Sequence, residues 1–178
     1  MSNVLPTRTS NPIIVMGVSG CGKTTMGRAL AARQKAPFLD ADDFHPDTNV
    51  AKMRTGIPLN DGDRAPWLAT LNHLLRARSE RGEQMVLACS ALKKNYRAAI
   101  SAGLPQTHWI FLDGSFELIA ARMRDRTNHY MPESLLRSQF DTLERPDDAI
   151  TISIALSPDE QVDAALFALR VLENRETL

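Results

Sequence analysis

Five short apolar runs punctuate the chain: IIVM at Ile13–Met16, PFL at Pro37–Leu39, MVLAC at Met85–Cys89, HWIFL at His108–Leu112 and ITISI at Ile150–Ile154. Runs apolar on both sides of the pleat suit a parallel sheet covered by helices on each face. The segments between them are long enough to be crossover helices. The pattern therefore predicts an α/β protein, doubly wound about five strands.

Helix signals fall between the runs. HPDTNVAKMRTG has a proline suited to a first turn at Pro46 and a natural stop at Gly56, which predicts a helix between them. A second helix is expected from about Arg64 to Arg81, and a last one, about Asp159 to Asn174, closes the fold. Two polar segments rich in turn formers resist this scheme: PLNDGDRAPW at Pro58–Trp67 and RMRDRTNHYMP at Arg122–Pro132. Both read as functional loops or their flanks. With no repeat and no dividing linker, the chain reads as one domain, 1–178.

Composition narrows the partners. Lysine plus arginine, 21, equals aspartate plus glutamate, 21, so no global field draws in nucleic acid or anionic lipid, and any anion must be gripped locally. Hydrophobic residues at 43% and charged residues at 24% are ordinary globular usage, arguing against disorder and a membrane span. Cys21 and Cys89 do not make a disulfide framework. With no apolar leader in MSNVLPTRTS, a cytoplasmic protein is expected.

The first chemistry-bearing motif is GVSGCGKT, Gly17–Thr24, directly after the first strand and opening a helical pattern. That strand–loop–helix setting is what a phosphate-binding loop requires. The glycines let the backbone wrap so that amides point at phosphates, and the helix N-terminus adds its dipole. Gly17, Val18, Ser19, Gly20, Cys21, Gly22, Lys23, Thr24 and Thr25 are thus the expected ATP contacts. Lys23 places a cation on the β- and γ-phosphates, and Thr24 is a magnesium ligand.

LDADDFH, Leu39–His45, sets three carboxylates just past a strand end, where open α/β sheets bind ligands. Phosphoryl transfer needs an oriented acceptor hydroxyl and oxygen partners for magnesium. Asp40 suits the metal and Asp42 the hydroxyl. Asp43 reads as a helix cap or solvated charge, and His45 equally as a cap or as a donor to a hydroxylated substrate.

With these motifs in place, the chain resembles the gluconokinase family. The matching segments are GVSGCGKT, LDADDFHP, NVAKMRTGIPLNDGDRAPWL, CSALKKNYR and HYMPESLLRSQFDTLE, which cover most of Gly17–Glu144. The long central block discriminates, since many kinases and GTPases share the loop alone. The resemblance implies a P-loop three-layer fold with a five-stranded parallel sheet, similar to nucleoside monophosphate and shikimate kinases. It also implies a mobile lid at about 122–132 and transfer of the ATP γ-phosphate to the 6-hydroxyl of D-gluconate, with a possible homodimer. Asp40 and Asp42 match the aspartate pair of similar small-molecule kinases.

Gluconate presents a carboxylate and a row of hydroxyls, so its site needs cations at one end. Arg54, Arg64, Lys93 and Lys94 are the available ones. In the lid-like segment Arg122 and Arg126 stand four apart and share a helix face toward the phosphates, with Arg126 the stronger catalytic candidate. Gln139 reads as decoration on a helix whose apolar face is Leu136, Phe140 and Leu143, or less readily as a substrate contact. Arg145 and Pro146 flanking adenine is a further reading. The rivals are a shikimate-like or nucleotide acceptor, disfavoured by PLNDGDRAPW, and a nucleotide-dependent switch, disfavoured by the lack of an NKxD sequence.

Overall fold

The computed structural model describes residues 11–124 and 133–176. Along the chain run β1 Ile13–Met16, α1 Lys23–Gln34, β2 Phe38–Asp40, a 3-10 turn Ala41–Phe44, α2 Asp47–Arg54, α3 Asp61–Glu80 and β3 Val86–Ala88. They continue with α4 Lys94–Ser101, β4 His108–Asp113, α5 Phe116–Arg124, α6 Glu133–Thr142, β5 Ile150–Ser153 and α7 Pro158–Glu176. All five expected strands form, each within one residue of its apolar run.

The strands are parallel, in the order β2-β3-β1-β4-β5. All four residues of β1 are 0% exposed, because strands flank it on both sides and helices cover both faces. The two-residue period of a strand divides its side chains between two cores. Ile13 and Val15, with Val86, Ile110 and Leu112, meet residues of α1, α5, α6 and α7. Ile14 and Met16, with Leu87 and Phe111, meet Trp67, Leu68, Leu71 and Leu75 of α3 and Tyr96 and Ile100 of α4. These are the three expected layers.

The order reverses at β1, with β3 on one side and β4 on the other. Ligands in open α/β sheets bind in the crevice that such a reversal opens at the carboxyl ends of the strands. The loops after β1, β2 and β3 gather there.

Two boundaries differ from expectation. Helix α3 starts at Asp61 rather than Arg64, because Asn60 and Asp63 form a reciprocal cap: Asp63 N donates to Asn60 Oδ1 at 2.8 Å and Asn60 N to Asp63 Oδ2 at 3.0 Å. Asp61–Trp67, most of the block expected as loop, is therefore the first two turns of a helix. Pro66 lies within them and, having no N–H, forgoes one backbone bond of the helix. Helix α2 begins at Asp47, with Pro46 as its N-cap. Among the described residues no helix is long and apolar enough to cross a membrane.

Candidate active site

The loop after β1 is shaped by its glycines. Gly17 has φ 145°, and a Cβ there would meet Cys21 Sγ at 2.8 Å and the Leu112 carbonyl at 3.0 Å. Gly20 has φ 81°, with Met123 Sδ 2.8 Å from where a Cβ would stand. Any side chain at either position is both strained and crowded. The loop delivers α1 with no side-chain cap and no acidic residue in its first turn. The amides of Gly20, Gly22, Lys23 and Thr24 make no hydrogen bond to the described residues. That leaves a ring of donors at the positive end of a helix, a ready anion site. Lys23 Nζ lies across the ring, donating to the Val18 carbonyl at 3.0 Å.

Thr24 Oγ1 donates to Asp40 Oδ2 at 2.8 Å, joining the cradle to the end of β2. The other oxygen, Asp40 Oδ1, accepts from Asp42 N at 3.2 Å and caps the 3-10 turn. This turn leaves the Asp42 and Asp43 side chains exposed beside the cradle. The described residues contain no group of three or more His, Cys, Asp or Glu able to hold a metal alone. The Thr24–Asp40 pair offers two hard oxygens, which fits a magnesium ion that completes its shell with water and phosphate.

Behind the acidic turn stands Trp67, 1% exposed. Its Nε1 donates to the Ala41 carbonyl at 2.8 Å, and its ring stacks on His45 with centroids 4.2 Å apart and planes 13° from parallel. His45 is thus a stacked side chain and not the N-cap of α2, which is Pro46; its backbone closes the 3-10 turn. Burial lowers its pKa, with Asp42 opposing and Arg64 assisting, so the imidazole is neutral at neutral pH. Buried Asn49 places Nδ2 3.5 Å from His45 Nδ1 and donates to the Asp63 carbonyl at 2.8 Å. Asp63 pairs with Lys52 at 2.6 Å, which holds its carboxyl below the usual range.

Of the four expected substrate cations, two meet. Arg64 lies 5.6 Å and Lys93 5.3 Å from the centroid of the Tyr96 ring. Tyr96 Oη donates to Asp61 Oδ1 at 2.5 Å and Lys93 Nζ to the same oxygen at 2.8 Å. These bonds, Lys93 first, depress the Asp61 pKa. Lys93 is therefore already matched by a carboxylate, while Arg64 contributes charge over an aromatic face. Arg54, the last residue of α2, is exposed. The Lys94 side chain is also exposed, its backbone N–H donating to Glu144 Oε2 at 2.6 Å. Both stand outside that set of contacts.

The loop after β3 supports the cradle. Gly17 N donates to Ser90 O at 3.4 Å. Arg97, 8% exposed, donates from Nη1 to the carbonyls of Ala91 at 3.2 Å and Leu92 at 3.3 Å. It pins a turn in which Ala91 has φ 43°. Burial pushes the Cys89 thiol up to about 12, so it is a packed thiol rather than a nucleophile.

A recess of about 300 Å3 opens against the loop, lined by Gly20, Cys21, Gly22, Thr25, Met26, Arg122, Pro158 and Gln161. Arg122 Nη2 donates to the Ile154 carbonyl at 2.6 Å, and its side chain lines this recess together with the loop residues Gly20 and Gly22. Pro158 and Gln161, at the start of α7, carry no sequence motif and were not anticipated. Arg126 lies outside the described residues. Arg145 forks onto Asp113 at 2.9 and 2.6 Å, a bond that raises its pKa.

Gln139 is not decoration. From α6 it reaches the loop, its Oε1 accepting from Ser19 N at 2.7 Å and its Nε2 donating to Ser19 Oγ at 3.0 Å. The Ser19 amide, expected on ATP, is engaged by this side chain.

This cradle, with its acidic turn and aromatic prop, agrees with what related chains are. A family model described as shikimate kinase matches residues 19–157. The thermosensitive gluconokinase of Escherichia coli is 45% identical over 164 residues, 88% of each chain. The crystal structure of a gluconokinase from Sinorhizobium meliloti superposes with a TM-score of 0.87 at 42% identity, over 96% of this chain and 98% of that one. The chain belongs to the gluconokinase family. A shikimate kinase structure from Aquifex aeolicus, at 20% identity and TM-score 0.59 over 91% of this chain and 98% of that one, shares the fold. In this gluconokinase-family chain Asn49, Lys52, Asn60 and Asp63 bond the central block to itself, and Trp67 ties it to the Ala41 carbonyl of the acidic turn.

Proposed function

We propose that the protein transfers the γ-phosphoryl group of ATP to the 6-hydroxyl of D-gluconate, giving 6-phospho-D-gluconate and ADP, as a single P-loop kinase unit. The observation that carries this reading is the seating of the central block on the acidic turn: Trp67 bonds Ala41 between Asp40 and Asp42, and stacks on His45. One acceptor region is thereby fixed beside a phosphate cradle.

In this reading the amides of Gly20, Gly22, Lys23 and Thr24 take the triphosphate, and the Lys23 ammonium keeps one N–H on the Val18 carbonyl while turning the others to phosphate oxygens. Such groups stabilise charge without reorganising during transfer. The recess walled by Arg122, Pro158 and Gln161 takes the nucleoside. Thr24 and Asp40 would hold Mg2+, which when bound neutralises charge on the phosphate oxygens. Asp42 orients the acceptor hydroxyl and accepts its proton. Neutral His45 hydrogen-bonds the sugar-acid chain, and Arg64, with Lys93 behind it, faces the carboxylate. A homodimer in the cytoplasm completes the proposal.

An ADP-release assay with ATP and magnesium tests it, comparing D-gluconate with shikimate, AMP and other sugar acids, beside light scattering for the dimer. Selective release with gluconate, abolished in Lys23→Ala, is expected. ATP binding without gluconate-dependent release would overturn the acceptor.

A further inference from the structure

The Val18–Ser19 peptide is held at both ends. Its carbonyl accepts from Lys23 Nζ at 3.0 Å and, at the longer distance of 3.4 Å, from Cys21 N, and its N–H donates to Gln139 Oε1 at 2.7 Å. A peptide unit is planar, so fixing the direction of its N–H fixes that of its carbonyl. The side chain that sets the N–H therefore sets where the Lys23 ammonium rests. The second bond, from Gln139 Nε2 to Ser19 Oγ at 3.0 Å, makes the carboxamide one-way: turned over, its NH2 would oppose the Ser19 N–H.

Such a clamp answers a need created by the sequence. Gly17, Gly20 and Gly22 all have positive φ, so the loop has little intrinsic preference for one shape. Its contact with the Lys23 side chain cannot fix it, because Lys23 is itself flexible. Helix α6 is anchored: Leu136 is 1% exposed and Phe140 packs edge-on against Phe116 at 5.6 Å. Gln139, three residues after Leu136, lies on the same helix face and is half-buried.

We propose that Gln139 is a positioning residue for phosphoryl transfer, holding the Val18–Ser19 peptide so that Lys23 is aimed at the transferring phosphate. The claim rests on reading the cradle as the ATP site. It predicts a role in turnover rather than in nucleotide affinity, since the amides left free for phosphate are those of Gly20 and of Gly22 to Thr24.

The test is Gln139→Met, which keeps the length of the side chain and deletes both hydrogen bonds. Turnover at saturating substrates should fall about 10- to 100-fold, as expected when a catalytic group is slightly misaimed. ADP affinity by titration calorimetry should stay within about threefold, and the melting temperature should stay close to wild type. Ser19→Ala alone should lose less, and the double variant should be no slower than Gln139→Met, because the Ser19 hydroxyl has then already lost its partner. A turnover loss below about threefold overturns the proposal, and so does a loss matched by equal weakening of ADP, which is what simple collapse of the loop would give. If Gln139→Met does not fold, Ser19→Ala decides, with wild-type turnover counting against. Wild-type release with gluconate checks the acceptor separately; were it absent, the same variant ratio is read on ATP hydrolysis to water.

Discussion

Trp67→Phe separates the prop from the site it supports. Phenylalanine keeps an aromatic ring against His45 but removes the indole N–H from the carbonyl of Ala41, a residue 0% exposed. A buried acceptor left without its donor costs about 1–3 kcal/mol. The smaller ring leaves a gap in a core where Trp67, Leu68 and Leu71 are packed together, adding about 1 kcal/mol. The sum, about 2–4 kcal/mol, corresponds to a fall of roughly 4 to 16 °C in Tm for a chain of this length. Because Ala41 lies between Asp40 and Asp42, the loss should also raise KM for gluconate several-fold while KM for ATP changes little. Thermal unfolding and steady-state kinetics on one preparation read both. A Tm within about 2 °C of wild type would refute the account of Trp67 as the prop of the acidic turn.

Further outcomes are expected. Asp42→Asn, at an exposed side chain, should lower turnover by about 10²–10⁴ with little change in Tm; wild-type turnover would remove the base assignment. The lowered His45 pKa means that the unfolded chain binds a proton the folded one resists. Stability is thus full above the ordinary histidine value of about 6.5 and falls as pH drops from there through the folded value. His45→Gln should flatten that part of the Tm–pH curve, and an unchanged slope would assign it elsewhere. Arg97→Met leaves the Ala91 carbonyl without its side-chain donor and removes one of the two donors on Leu92 O, which keeps Glu144 N, and should cost about 1–3 kcal/mol in urea unfolding.

Much of this was legible in the sequence because it is local. Strand runs, the phosphate loop and the acidic turn are each written in under ten consecutive residues, and the strands form within a residue of their apolar runs. Where reading failed, the determinants are distant. Gln139 looks like surface on its helix because Ser19, its partner, is 120 positions away. Arg97 carries no motif in KKNYRAA beyond its spacing of three from the buried Ile100, and its bonds to the Ala91 and Leu92 carbonyls show only in the fold. The start of α3 was placed late because the Asn60–Asp63 cap sits inside a turn-rich string that equally suits a loop. The Lys93–Asp61 ion pair, between residues 32 positions apart, is likewise invisible to local pattern.

The central claim, phosphoryl transfer to one defined oxygen, is met most directly by product analysis. Wild-type protein is incubated with ATP, magnesium and D-gluconate labelled with carbon-13 at position 6, and the product is followed by carbon and phosphorus NMR. The account predicts a single phosphomonoester whose phosphorus couples to the labelled carbon, formed by wild type and not by Lys23→Ala. Phosphate on another oxygen, or ADP formed with unmodified gluconate, would contradict it.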